Sequence, residues 1–141
     1  MERVLKSLGL MVTAAVGLGG LAISAWNYAA TQELAARRPF LERQMTLCFE
    51  ASRLAAQLAT SPDAAVRSQA GARFEELYWG ELAIVEDAPV EQAMVAFRRT
   101  WTAGEDASAL RAPALRIAHS CRELVLSSWG IDLGPLPALR P

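Results

Sequence analysis

Two kinds of hydrophobic pattern divide the chain. From Ser7 to Gln32 no residue is charged, and apolar residues fall on every side of a helix. Beyond Phe40 apolar residues recur at helical spacing, in four blocks separated by proline or glycine. No strand-like alternation and no repeat interrupt them. The pattern predicts an all-α protein: an N-terminal transmembrane helix followed by a small three- to four-helix bundle.

Three segments follow: a membrane anchor over 1–38, a helical bundle over 39–130 and a Pro/Leu-rich tail over 131–141. Within the anchor, Ser7 to Ala30 gives 24 uncharged positions. At about 1.5 Å per residue these reach roughly 36 Å, against a hydrocarbon core of about 30 Å. Trp26 and Tyr28 sit near one end, where aromatic rings favour the headgroup level. The competing reading is a cleaved signal peptide, with Ala22-Ile23-Ser24 or Ile23-Ser24-Ala25 as the cleavage site. The apolar run is long for that, and a retained anchor is expected.

The span is not uniform. Gly9, Thr13, Gly17, Gly20 and Ser24 are spaced so that all five share one helical face. A seam of small residues lets a second membrane helix approach closely and gain dispersion contacts. These five residues are the expected membrane-helix docking face, for a second copy or a membrane protein partner. Basic residues flank both ends in similar number (Arg3 and Lys6; Arg37, Arg38 and Arg43), so the charge rule hardly discriminates orientation. The expected arrangement is single-pass in the inner membrane, N-terminus inside, with the helical domain extracytoplasmic.

In the first bundle block, about Phe40 to Thr60, the polar positions Glu42/Arg43, Thr46, Glu50, Arg53 and Gln57 form one narrow stripe. A helix that is apolar on its other sides is expected to be covered on more than one of them. Arg37-Arg38-Pro39 marks its start, as a kink or a new helix. In the second block, to about Glu86, Ser61 is read as N-cap, Pro62 as first helical residue and Asp63 as a favourable charge beside them. Its buried face is Val66, Ala70, Phe74, Leu77, Tyr78, Leu82 and Val85. Asp87-Ala88-Pro89 caps the third block, with Val90, Met94, Phe97 and Trp101 inward and Gly104 after its end. Pro113 starts or kinks the last block, with Leu115, Ala118, Cys121, Val125 and Trp129 inward and Gly130 at its end. In the tail Leu133, Leu136 and Leu139 recur every three residues, the period of polyproline II.

Composition sharpens this only locally. The chain is 52 % hydrophobic, and the excess sits in the first thirty residues. A net charge of −1 provides no field for nucleic acid or an anionic surface. The two cysteines, Cys48 and Cys121, have no zinc-ligand spacing. Both fall on inward faces, which makes them a candidate disulfide in an oxidising compartment and a pair of thiols in a reducing one. The acidic run Glu75-Glu76-Leu77-Tyr78-Trp79-Gly80-Glu81 invites a metal or acid–base reading. A carboxylate-bridged di-iron bundle needs Glu-x-x-His on two helices, and the chain has a single histidine, His119. The run is therefore read as a solvated helix face, and no cofactor or metal is expected. Trp79 lies beside the core stripe, not within it, and Gly80 follows it. The two are a candidate partner contact. Arg98-Arg99 and Arg37-Arg38 are read as isolated solvated pairs or lipid-headgroup contacts.

The span, then Arg38-Pro39-Phe40-Leu41-Glu42, then Phe74 to Leu82 and Val85-Glu86-Asp87, resembles uncharacterised bacterial single-pass membrane-anchored helical proteins. The resemblance covers about Val4 to Phe97 and implies no activity. The function expected is that of a non-enzymatic, membrane-anchored interaction protein, an accessory or scaffold subunit of a membrane complex. The alternative is an anchored helical sensory or ligand-binding module acting through a separate partner.

Overall fold

In the computed structural model the backbone is described for residues 2–134, and side chains for Ser24, Trp26, Tyr28, Thr31, Gln32 and 35–134. The described residues form four α-helices and no strand: α1 (Glu2–Thr60), α2 (Ala64–Glu76), α3 (Ala88–Thr102) and α4 (Ala107–Trp129). A π-helical turn (Leu77–Glu81) and a 3-10 turn (Leu82–Ile84) follow α2. The small helical bundle is thus present. Among the described residues no helix is long and apolar enough to cross a membrane. Most side chains of the 7–30 stretch lie outside the described residues; of that stretch Ser24, Trp26 and Tyr28 are described, and all three are exposed.

Pro39 does not begin a new helix, because α1 runs through it. Proline lacks the N–H that would bond four residues back, which loosens the helix there. The chain divides at this point into two compact units, Met1–Pro39 and Phe40–Pro141.

The second unit is built around residues 44–59 of α1. Leu47, Cys48, Ala51, Leu54, Ala55, Leu58 and Ala59 are buried, and they share one cluster with Phe74, Leu77, Leu82, Val90, Met94, Phe97 and Ile117. Coverage is less complete than a narrow polar stripe implies: Phe49 is 70 % exposed and Phe40 50 %. Gln44, apart from the polar stripe, is buried and donates its Nε2 hydrogen to the Val85 carbonyl at 2.7 Å. That bond pins the turn after α2 onto α1.

Helix ends follow capping chemistry, with one displacement. Asp87 caps α3, its side chain accepting the Val90 N–H at 3.1 Å, with Pro89 in the first turn. The α2 cap is Asp63, whose Oδ1 accepts the Ala65 N–H at 2.8 Å, and not Ser61. The Ser61 hydroxyl instead accepts the Asp63 N–H at 3.2 Å, so Pro62 lies outside the helix. α4 begins at Ala107 and contains Pro113, which neither starts it nor ends it. Gly130 closes α4 in the left-handed region (φ 64°), letting the Ile131 N–H reach the Leu126 carbonyl at 2.9 Å.

The inward face of α4 is rotated from the expected one. Leu110, Ala114, Ile117, Cys121 and Leu124 are buried, whereas Leu115 is exposed and Ala118, Val125 and Trp129 are half-buried. Both tracks pass through Cys121 at helical spacing, so spacing alone does not choose between them. Cys121 is joined to Cys48 in a disulfide, with Cα atoms 5.4 Å apart.

An aromatic cluster fills the space between α2 and α3. Phe74 lies 5.0 Å from Phe97 and 5.9 Å, edge-on, from Trp101 (centroid distances). Trp101 comes so near α2 that a Cβ on Gly71 would stand 2.7 Å from its Cζ2. Gly80, by contrast, has open space where its Cβ would be. Gly71→Ala is expected to lower stability by about 1 kcal/mol, overpacking outweighing the better helix propensity of alanine. Gly80→Ala is expected to be neutral or to raise stability by up to about 1 kcal/mol. Thermal or denaturant unfolding of the two variants separates these signs.

Candidate interaction surface

The π-helical turn determines where Trp79 points. In it the Leu82 N–H bonds the Leu77 carbonyl, five residues back, so the turn holds one residue more than an α-helical turn. Leu77 and Leu82 can then both be buried, and the surplus residue bulges outward. Trp79 is left 71 % exposed.

The exposed indole is nevertheless held. Its Nε1–H donates to Glu75 Oε2 at 2.9 Å. Glu75 also accepts from Arg98 Nε, at 2.9 Å to Oε1 and 3.1 Å to Oε2. The Arg98 guanidinium lies over both the Tyr78 and Trp79 rings, 5.1 and 5.2 Å from their centroids. Tyr78 and Trp79 meet edge-to-face at 4.9 Å. Cation–π contacts of this kind contribute about 0.5–1 kcal/mol at exposed sites. The result is a fixed aromatic surface drawn from α2, the π-helical turn and α3.

Arg98 is neither a solvated cation nor a headgroup contact here, because Glu75 and two aromatic rings engage its guanidinium. Its partners lie far away in sequence, Glu75 being 23 residues earlier, so no local spacing announces them. Arg73 also has a distant partner, Glu50, besides Glu76 in its own helix. It donates Nε and Nη2 to the two Glu50 oxygens at 2.9 and 3.2 Å, Nη1 to Glu76 at 2.9 Å and Nη2 to Glu81 at 2.8 Å. Arg43 adds a 3.3 Å pairing to Glu81. Hydrogen bonding from Arg73 holds the Glu50 carboxyl below its ordinary pKa, and its carboxylate partners, Glu50 foremost, push that of Arg73 up. The carboxylates of the acidic run are therefore paired with arginines. They tie α1, α2, the π-helical turn and α3 together, while Glu76 and Glu81 stay open to solvent on the expected solvated face. Among the described residues no group of three or more His, Cys, Asp or Glu is arranged to hold a metal ion.

Of the other expected site residues, Gly80 adjoins Trp79 on the exposed bulge, with open space where an added Cβ would stand. The seam residues Gly9, Thr13, Gly17 and Gly20 have side-chain positions outside the described residues; Ser24 is exposed. Comparison of the chain with family models, curated proteins and solved structures finds no match.

Close to the buried Gln44–Val85 bond, Glu86 is half-buried. Desolvation, with the Glu91 and Asp87 charges adding to it, pushes its pKa from 4.5 up to about 7. The folded state thus holds this proton more tightly than the unfolded chain does. The associated stability is present below about pH 4.5 and lost as pH rises through about 7. Glu86→Gln is expected to melt higher than the parent at pH 8 and to differ little at pH 4.5, which thermal unfolding at the two pH values checks.

Proposed function

We propose that this is a non-enzymatic, membrane-anchored interaction protein, an accessory or scaffold subunit of a membrane protein complex. The observation that carries the reading is Trp79, a large apolar ring exposed on a π-helical bulge and held in place by Glu75 and Arg98. Interface hot spots are enriched in tryptophan, tyrosine and arginine, and prior ordering of such side chains lowers the entropy lost on association. This surface supplies all three residue types within one cluster.

Anchorage rests on the uncharged stretch from Ser7 to Ala30, and the face of Gly9, Thr13, Gly17, Gly20 and Ser24 docks a second membrane helix. The Cys48–Cys121 bond supports an oxidising compartment for the helical domain, hence single-pass insertion in the inner membrane with the N-terminus inside.

Purification from native membrane in mild detergent is expected to recover a stoichiometric protein partner; a lone monomer would sink the proposal. Trp79→Ala is expected to leave the helical circular dichroism unchanged and to weaken partner binding about thirtyfold, the size of a hot-spot truncation near 2 kcal/mol. Replacing Gly17 and Gly20 by Leu is expected to abolish association within the membrane while sparing any contact made by the helical domain alone.

A further inference from the structure

An apolar groove of about 470 Å³ runs between the 45–52 stretch of α1 and the 118–126 stretch of α4, beside the Cys48–Cys121 bond. Met45, Phe49, Ala118, Val125 and Leu126 form its walls. Phe49, 70 % exposed, is more open to solvent than Phe40, the other exposed phenylalanine of this half of α1. The chain returns to this groove by itself. After Gly130 ends α4, Leu133 becomes part of the lining, still 65 % exposed.

The backbone is fixed at that point. The Asp132 Oδ1 accepts the Gly134 N–H at 2.8 Å, and Arg122 Nη2, on α4, donates to the Gly134 carbonyl at 3.2 Å. Arg122 is itself a groove residue. The last described residue is therefore tied down at the groove's edge. Seven residues, Pro135 to Pro141, follow and lie outside the described residues. Three of them are proline, and Leu136 and Leu139 continue the three-residue period begun by Leu133. Gly134, at φ 71°, turns the chain after Leu133; beyond it, polyproline II would put Leu136 and Leu139 on one face, about 9 Å apart at about 3.1 Å per residue. A preformed extended segment loses little conformational entropy on docking, and apolar walls exposed to water favour covering by apolar side chains.

We propose that the C-terminal segment Pro135–Pro141 is the occupant of this groove, lying along it in polyproline II with Leu136 and Leu139 against the α1–α4 walls. The groove is then an internal docking site, kept covered by the protein's own tail.

The test places a photoreactive p-benzoylphenylalanine at Leu136 of the full chain and, as control, at Ala138 on another face of the three-residue repeat. The expected result is crosslinking within the monomer to peptides covering 45–52 or 118–126, at about tenfold higher yield from position 136 than from 138. Crosslinks joining two copies, crosslinks to lipid or detergent, equal yields from the two positions, or no crosslink would each overturn the proposal. As an independent measurement, Leu136→Asp combined with Leu139→Asp is expected to raise binding of an apolar fluorophore to the full chain about threefold by uncovering the groove. Unchanged fluorescence would overturn it too.

Discussion

The second compact unit depends on residues 44–59 of α1 being covered on more than one side. Leucine and alanine alternate along the buried face, and the alanines at 51, 55 and 59 leave room for neighbouring helices to approach. Polar groups near this stretch are used to position partners. Gln44 receives the turn after α2 through Val85, and Glu50 receives Arg73 from α2. Cys48 holds α4 covalently. α2, the turn after it and α4 are thus each bonded to α1, and α3 joins them through the shared core cluster.

Ion pairing at the periphery has a different role from burial in the core. Arg73 and Arg98 are each about one-third exposed, so their pairs contribute modest stability. Their effect is on geometry. Arg73 gathers carboxylates from α1, α2 and the π-helical turn, while Arg98 fixes the two aromatic rings beside that turn. A bulge that would otherwise be loose is held on both flanks.

Much of this was legible in the sequence wherever one residue type has one good use. Asp87 followed by Pro89 marks a helix start, Gly130 a helix end, and the spacing of Phe74, Leu77 and Leu82 a buried face. Where two choices satisfy the same rule, sequence alone fails. Ser61 and Asp63 are both capable caps, and the side-chain bond to Ala65 settles the matter for Asp63. Ala114 and Leu115 lie on two equally periodic tracks of α4, and packing selects the one with the smaller residue. Trp79 stood out because it flanked the core stripe, but Arg98 did not, because its partners come together only in the fold. Gln44 was equally hidden: a glutamine on an amphipathic helix reads as solvated unless the carbonyl it meets, 41 residues away, is known.

The disulfide also has a mechanical meaning. Residues 48 to 121 form a closed covalent ring that contains α2, the π-helical turn and α3 in full. The chain enters and leaves this ring at two Cα atoms only 5.4 Å apart. A pull applied between the N-terminal stretch and the C-terminal tail would pass across that single bond and bypass the ring. The aromatic cluster and the Trp79 bulge, both carried inside the ring, would be shielded from tension along the chain.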